Sequence, residues 1–368
     1  MEECGGSVSY LSSDSDHQSG RLLKTLFTGR KFRIFEELLP TMGMHRFLNR
    51  LRSRELKKQF FNFLKKEAPD IISIHNLHSV SWPVDLVEVA LRFAPTIWTL
   101  HDCWSFLGSF YPDYSPAPDP ETTKEINRFW NNLSKDRSAH SLSAITPSNW
   151  MREQALNSHW HGSRVETIRN PIPDSYFKNL DTLACRKVLG LSEDKPVVLC
   201  IAGNLTEERK GGKILQFILE SISHESVQFL LIGACAKNHF KKSDGVVHLG
   251  FLNDETTLQI AYSASDLLLH PAPVDNLPNT VAESMCMGTP VLSFSRGGLP
   301  EMVIPGQSGW LANEFTPEAM TTELLAILRS NSFAKIRSQT KETARKLFSR
   351  EKIADQYFAH FKDVLGQT

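Results

Sequence analysis

Asp275 and Glu283, eight positions apart, carry the clearest chemistry in the chain, within His270-Pro271-Ala272-Pro273-Val274-Asp275-Asn276-Leu277-Pro278-Asn279-Thr280-Val281-Ala282-Glu283. An apolar strand ends there in a proline-bounded loop. The pattern predicts that Thr280 caps a helix carrying Glu283 one turn in, while Asp275 stays in the loop at the sheet's edge. Ionised carboxylates accept charge-assisted hydrogen bonds, so Asp275 suits sugar hydroxyls and Glu283 suits a ribose.

A second segment, Ala202-Gly203-Asn204-Leu205-Thr206-Glu207-Glu208-Arg209-Lys210-Gly211-Gly212, lies between a strand and a helix expected to begin near Gly212. Glycines such as Gly203 let backbone amides approach an anion, a helix start offers unpaired N–H groups, and Arg209 and Lys210 bring charge to the same edge. Diphosphate fits this chemistry; a surface turn with two solvated bases is the plainer alternative. Neither the GxxxxGK[ST] nor the GxGxxG spacing is present, which disfavours an ATPase or a dehydrogenase. In Ser295-Arg296-Gly297-Gly298-Leu299-Pro300-Glu301, Gly297 and Gly298 permit a ligand to pass close to the main chain, and Glu301 reads as a charge favourable to a helix start. In the first half, Leu100-His101-Asp102-Cys103-Trp104 leaves His101 at a strand end, able to donate to a substrate oxygen. His75 and His78 are weaker candidates. Their spacing supplies no convergent ligand set, so no metal site is expected.

These residues need sheets to hold them. The 368 residues suffice for two to three domains. With 41 basic and 41 acidic side chains and 41% apolar residues, the chain is an ordinary globular protein without the charge footprint of a nucleic-acid binder. Six cysteines without CxxC spacing read as free thiols in a reducing compartment, and no apolar run is long enough to span a bilayer. With no secretion signal at the start, a cytoplasmic location is expected. Residues 1–20 read as loop. Residues 21–67 hold thirteen Lys or Arg against four Asp or Glu, interleaved with Phe, Leu and Met. That excess suits an anionic membrane surface or, alternatively, a solvated helical face.

Apolar runs at 70–75, 96–101 and 143–147 predict three strands separated by helical stretches. Runs at 197–202, 227–232, 246–249, 266–270 and 290–294 predict five more. The alternation predicts two doubly wound parallel-sheet domains, residues 1–172 and 173–345, facing across a cleft. A helical segment, 346–368, follows and is expected to pack back on the first domain.

The ensemble resembles the retaining, nucleotide-sugar-dependent glycosyltransferases of family 4, group 1, which include sucrose-synthase-like and bacterial surface-glycan enzymes, and in particular a capsule or colanic-acid branch. The likeness spans about 69–311. It rests on Asp275 to Glu283 as the family's Glu-x7-Glu signature with Asp in first place, on Met287-Gly288-Thr289-Pro290-Val291, on Arg209 and Lys210, on Gly297 to Glu301 and on Trp98 to Trp104. It implies a GT-B fold and hexosyl transfer without a metal from a UDP- or GDP-linked sugar to a surface polysaccharide or polyprenyl-diphosphate-linked glycan. It also implies catalytic roles for His101, Arg209, Lys210 and Asp275, and donor contacts from Gly203, Asn276, Leu277, Thr280, Glu283, Gly297 and Gly298. Peripheral association with the inner membrane through 21–67 fits the same setting. The family opens with a strand and a glycine-rich loop, whereas Met1-Glu2-Glu3-Cys4-Gly5-Gly6 offers none, so a shortened first domain is expected. An inactive nucleotide-sugar-binding scaffold, or a GT-B epimerase or hydrolase, are the rival readings.

Overall fold

All strand pairings among the described residues are parallel, as expected where helices and turns return the chain to one edge between strands. The computed structural model describes residues 44–80, 82–112, 118–136, 140–222, 226–236, 239–240, 245–330 and 332–366. The opening segment 1–20 and residues 21–43 of the basic stretch lie outside these.

Helix α1 (Met44–Glu67) precedes a sheet of β1 (Ile72–Ile74), β2 (Thr96–Thr99), β3 (Leu142–Thr146) and β4 (Val165–Thr167), arranged in sequence order. Between them lie α2 (Leu86–Ala90), α3 (Trp104–Leu107), α4 (Pro120–Leu133) and α5 (Asn149–Leu156). After α6 (Thr182–Leu189) the second sheet contains β5 (Val197–Asn204), β6 (Gln228–Ala234), β7 (Val246–His248), β8 (Leu267–His270), β9 (Val291–Phe294) and β10 (Gly309–Ala312). Its spatial order is β10-β9-β8-β5-β6-β7. The connecting helices are α7 (Gly212–Ser221), α8 (Glu255–Ala264) and α9 (Asn279–Cys286); α10 (Pro317–Ser330), α11 (Phe333–Phe348) and α12 (Arg350–Val364) close the chain.

Side chains alternate across each sheet and both faces are buried. Val197 and Leu199 of β5 pack on one side with Ala261, Tyr262 and Met285, while Val198 and Cys200 pack on the other with Ile214, Ile218 and Leu324. In the first sheet Trp98 and Ala144 face a core with Phe129 and Trp160. Ile97, Ile145 and Ile168 face the opposite way and are covered by Ile353 of α12. The last helix thus supplies the second layer of the first domain, and burying Ile353 contributes roughly 1.5–3 kcal/mol. The chain crosses between domains at 168–173 and again at Ser349, and the crossings touch where Ile172 N donates to Phe348 O at 3.3 Å.

Four helices, α4, α5, α6 and α8, begin at a side-chain cap. Asp119, Ser148, Asp181 and Asp254 each accept a first-turn amide. Helix α9 departs from the expectation: Pro278 occupies the N-cap position without a side-chain bond, and Thr280 lies inside the first turn rather than capping it. Proline's fixed φ lets the helix begin ahead of the threonine. Strands β4 and β10, absent from the sequence reading, each form one outer edge of their sheets, opposite β1 and β7. Five cysteines are described, all free thiols, four of them buried.

Candidate active site

In an open parallel sheet the ligand crevice lies where successive connections leave in opposite directions. In the second domain that point falls between β5 and β8, so the Arg209–Lys210 loop and the Asp275 loop meet there. Gly211, at φ +81°, makes the meeting possible: a Cβ on it would lie 2.1 Å from Pro271 O. Arg209 and Lys210 form a 3-10 turn immediately before α7.

Lys210 Nζ donates to Asp275 Oδ2 at 2.7 Å, and Tyr111 of the first domain donates to Asp275 Oδ1 at 2.7 Å. The amide of Asn276 donates to Oδ1 at 3.0 Å, and His270 Nε2 stands 3.5 Å from Oδ2. The carboxylate is 4% exposed, so the three bonds from Tyr111, Lys210 and the Asn276 amide fix its orientation at the edge where a sugar hydroxyl was expected to meet it. Burial alone would raise its carboxyl. The neighbouring His270 edge and the Lys210 ammonium outweigh burial and hold the group well below the usual carboxylate range. Burial, reinforced by Asp275, keeps the Tyr111 phenol well above its ordinary value and therefore a donor.

Arg209 is not a free surface base either. Its Nε donates to Glu207 Oε1 at 2.9 Å and its guanidinium lies 4.8 Å from the centre of the Phe110 ring, from the first domain. Gly203 lies inside β5 and a Cβ there would meet nothing within 4 Å, so the space above it is open. Glu283 accepts from Tyr262 Oη at 2.8 Å. Burial, with Glu255 nearby, pushes its carboxyl up to about 7 against that bond.

The other predicted contacts serve packing as well. Leu277 is buried in the core beneath α9. A Cβ on Gly297 would lie 2.1 Å from Asp275 O and one on Gly298 1.9 Å from Asn276 O, so these glycines are required by the neighbouring loop itself. Gly298 N also donates to Asp275 O at 2.9 Å.

Across the cleft, Asn276 Nδ2 donates to the backbone O of His101 at 2.9 Å and its Oδ1 accepts from Ser148 Oγ. Glu301 is indeed at a helix start, but that of α5 in the opposite domain. Its carboxylate accepts from Asn149 N at 3.0 Å, Asn149 Nδ2 at 3.1 Å and Trp150 N at 2.8 Å, with Arg169 3.7 Å away. Tyr111, Ser148 and His75 were missed as partners, because no local pattern signals bonds that span 164, 128 and 26 residues. The arrangement brings two cations, a helix start and hydroxyl-accepting groups to one crevice closed by the first domain, which suits binding and charge stabilisation of a diphosphate ester. Among the described residues no group of three or more His, Cys, Asp and Glu is disposed to hold a metal ion.

Comparison with known proteins bears on both halves. The sequence model described as Glycosyltransferase Family 4 matches residues 21–176, and that described as Glycosyl transferases group 1 matches 195–330. N-acetyl-alpha-D-glucosaminyl L-malate synthase of Bacillus anthracis is 22% identical over 210 residues, covering 55% of this chain and 54% of that protein. D-inositol 3-phosphate glycosyltransferase of Mycobacterium marinum is 22% identical over 218 residues, covering 55% and 46%. The matches thus span about half the length of these relatives. Sucrose-phosphate synthase of Thermosynechococcus elongatus superposes with a TM-score of 0.69 at 20% identity, covering 86% of this chain and 79% of that one. Anabaena HepE, solved with UDP-glucose, gives 0.64 at 19% identity, covering 85% and 82%. These likenesses establish the fold as GT-B: two Rossmann-like parallel-sheet domains facing across a cleft.

Proposed function

From a chain related to glycosyltransferase family 4 and folded as GT-B, we propose a retaining glycosyltransferase that moves a hexose or N-acetylhexosamine from a nucleoside diphosphate sugar to a hydroxyl of a surface or lipid-linked glycan. The observation that carries the reading is the meeting of Arg209, Lys210 and the start of α7 with the Asp275 loop at the switch point of the second sheet. In the reaction the bond from the anomeric carbon to the donor phosphate breaks. The acceptor oxygen bonds to that carbon from the same face, and its proton passes to the departing phosphate oxygen. Negative charge grows on the diphosphate as it leaves, so Arg209, Lys210 and the α7 amides bind the transition state more strongly than the intact donor. Asp275 orients the transferred sugar while holding Lys210 and Tyr111 in place, and His101 meets the same sugar. Domain contact through Tyr111, Asn276 and Glu301 excludes water and so favours transfer over hydrolysis.

Glu283 is read as the ribose acceptor, and its raised carboxyl gives the test. The ionised form accepts from ribose hydroxyls on both oxygens and more strongly than the protonated form, so donor affinity should rise as pH increases through about 7. The stability sign is opposite: between the ordinary 4.5 and about 7 the folded protein holds the extra proton, so stability falls as pH rises through that window. Calorimetric titration of nucleoside diphosphate sugars from pH 5.5 to 8.5 should show the affinity gain in wild type, and Glu283→Gln should bind weakly with a flat profile. A wild-type affinity indifferent to pH would reject the ribose contact.

The acceptor side of the reading includes docking on an anionic membrane face. Helix α1 exposes Arg54, Lys58 and Lys65 on one side, and Phe61 among them is 42% exposed, which supports combined electrostatic and apolar attachment. No helix among the described residues is long and apolar enough to cross a membrane. Sedimentation should be strong with vesicles containing anionic phospholipid, weak with purely zwitterionic ones, and reduced several-fold by Lys58→Glu with Lys65→Glu. Equal sedimentation with both vesicle types would exclude this docking.

A further inference from the structure

The ring of His101 has a partner that its own segment does not reveal. His75, one residue past β1, brings its Nδ1 to 3.0 Å from His101 Nε2, and its own Nε2 lies 3.3 Å from Ser73 Oγ. Strands β1 and β2 are adjacent and parallel, with Ile74 paired to Trp98, so their carboxyl ends deliver both rings to one edge of the first sheet. Two imidazole nitrogens in hydrogen-bond contact share one proton: two hydrogens repel, and none leaves no bond. The tautomer of one ring therefore dictates that of the other.

The nearest carboxylate does not compete for this role. Asp102 Oδ2 pairs with His78 Nε2 at 3.0 Å and Oδ1 accepts from Trp104 N at 2.9 Å, while His78 stacks on Trp104. Asp102, His78 and His75 are thus the titratable groups that face His101, and His75 is the one bonded to its ring. From the second domain, Asn276 fixes the backbone carbonyl of the same residue. Burial lowers His101 against the pull of Asp102. His75, although partly open to solvent, is also held below the ordinary imidazole range by desolvation and by His101, so both rings are neutral near neutral pH.

We propose that His75 is a positioning residue which, through its bond to His101 Nε2 and backed by Ser73, fixes the tautomer and ring plane in which His101 is presented to the cleft. Its catalytic value rests on the reading of His101 as the group that meets the transferred sugar; the coupling of the rings does not. Nitrogen-15 imidazole spectra of the full chain, with His101 assigned by its absence in His101→Asn, should show one dominant His101 tautomer in wild type. His75→Ala should give a tautomer mixture. His75→Asn, which keeps a polar atom near the place of Nδ1, should largely restore the wild-type pattern. In transfer assays with a verified donor, His75→Ala should lower kcat roughly tenfold, the worth of about one hydrogen bond, with donor KM little changed, and move the acid limb of the pH profile. Ser73→Ala, at an exposed position, supplies a milder perturbation of the same relay should His75→Ala not fold, and should shift the His75 resonances and, more weakly, those of His101. Unchanged His101 resonances in folded His75→Ala, or unchanged His75 and His101 resonances in Ser73→Ala should His75→Ala not fold, would overturn the proposal. Altered resonances without any transferase activity would instead count against the enzymatic reading alone.

Discussion

Replacing Lys210 with Met is expected to lower sugar transfer by about 10²–10³-fold, the usual cost of deleting one preorganised charge or donor from a transition state. The variant should also lose stability, because Lys210 is the cation bonded to the nearly inaccessible Asp275. Breaking a buried pair from one side leaves an uncompensated charge and costs about 3–5 kcal/mol. A second substitution separates the effects. In Lys210→Met with Asp275→Asn the lone carboxylate is gone, so the urea midpoint should recover much of the loss while transfer stays low. Recovery of transfer together with stability would mean that Lys210 serves only to neutralise Asp275, and the diphosphate role would be refuted. The pH sign agrees with this pairing. Asp275 is held below its unfolded value of about 3.9, so its stabilisation is present above that pH and is lost only as pH falls through the lower folded value. In Lys210→Met that loss should move to higher pH.

Glu301→Ala should open the cleft. The carboxylate belongs to the second domain, yet three N–H groups of Asn149 and Trp150 in the first converge on it. Charge-assisted bonds of this kind contribute about 1.5–3 kcal/mol net, enough to change the closed-to-open ratio by roughly 10- to 100-fold. Helix α5 should survive the change, since Ser148 Oγ still accepts from Met151 N at 3.1 Å. Small-angle scattering should therefore report a larger radius of gyration at unchanged helical content, and transfer should fall at least tenfold while donor hydrolysis becomes relatively more prominent. Glu301→Gln, retaining one acceptor oxygen, should lie between. Wild-type scattering and wild-type transfer in Glu301→Ala would show that the contact does not govern closure. The chain crosses between domains only twice among the described residues, at 168–173 and at Ser349, so few covalent constraints oppose such an opening.

The elements that hold the site were legible where they are central. Strands β5, β6, β8 and β9 have neighbours on both sides and bury both faces, so each reads as an apolar run. Strands β4 and β10 escaped notice because their signals are brief: a charge interrupts Val165-Glu166-Thr167, and the apolar run Trp310-Leu311-Ala312 is three residues long. The Asp275 to Glu283 segment and the Arg209–Lys210 turn were visible for a related reason: loop chemistry beside a strand end is encoded by consecutive residues.

Sequence alone determined two parallel sheets, the edge at which their ligands gather, and the residue types on the second domain's side of the cleft, because each depends on periodicity and spacing within some twenty residues. Tertiary structure decided what those residues do to one another. Asp275 is bonded by Lys210 and by Tyr111, 164 positions away; Glu301 caps a helix of the other domain; and His101 is bonded to a histidine just past the neighbouring strand. Such pairings follow from how two sheets close face to face, and the energy of a buried polar group depends on whichever partner that closure brings within 3 Å, not on its neighbours along the chain.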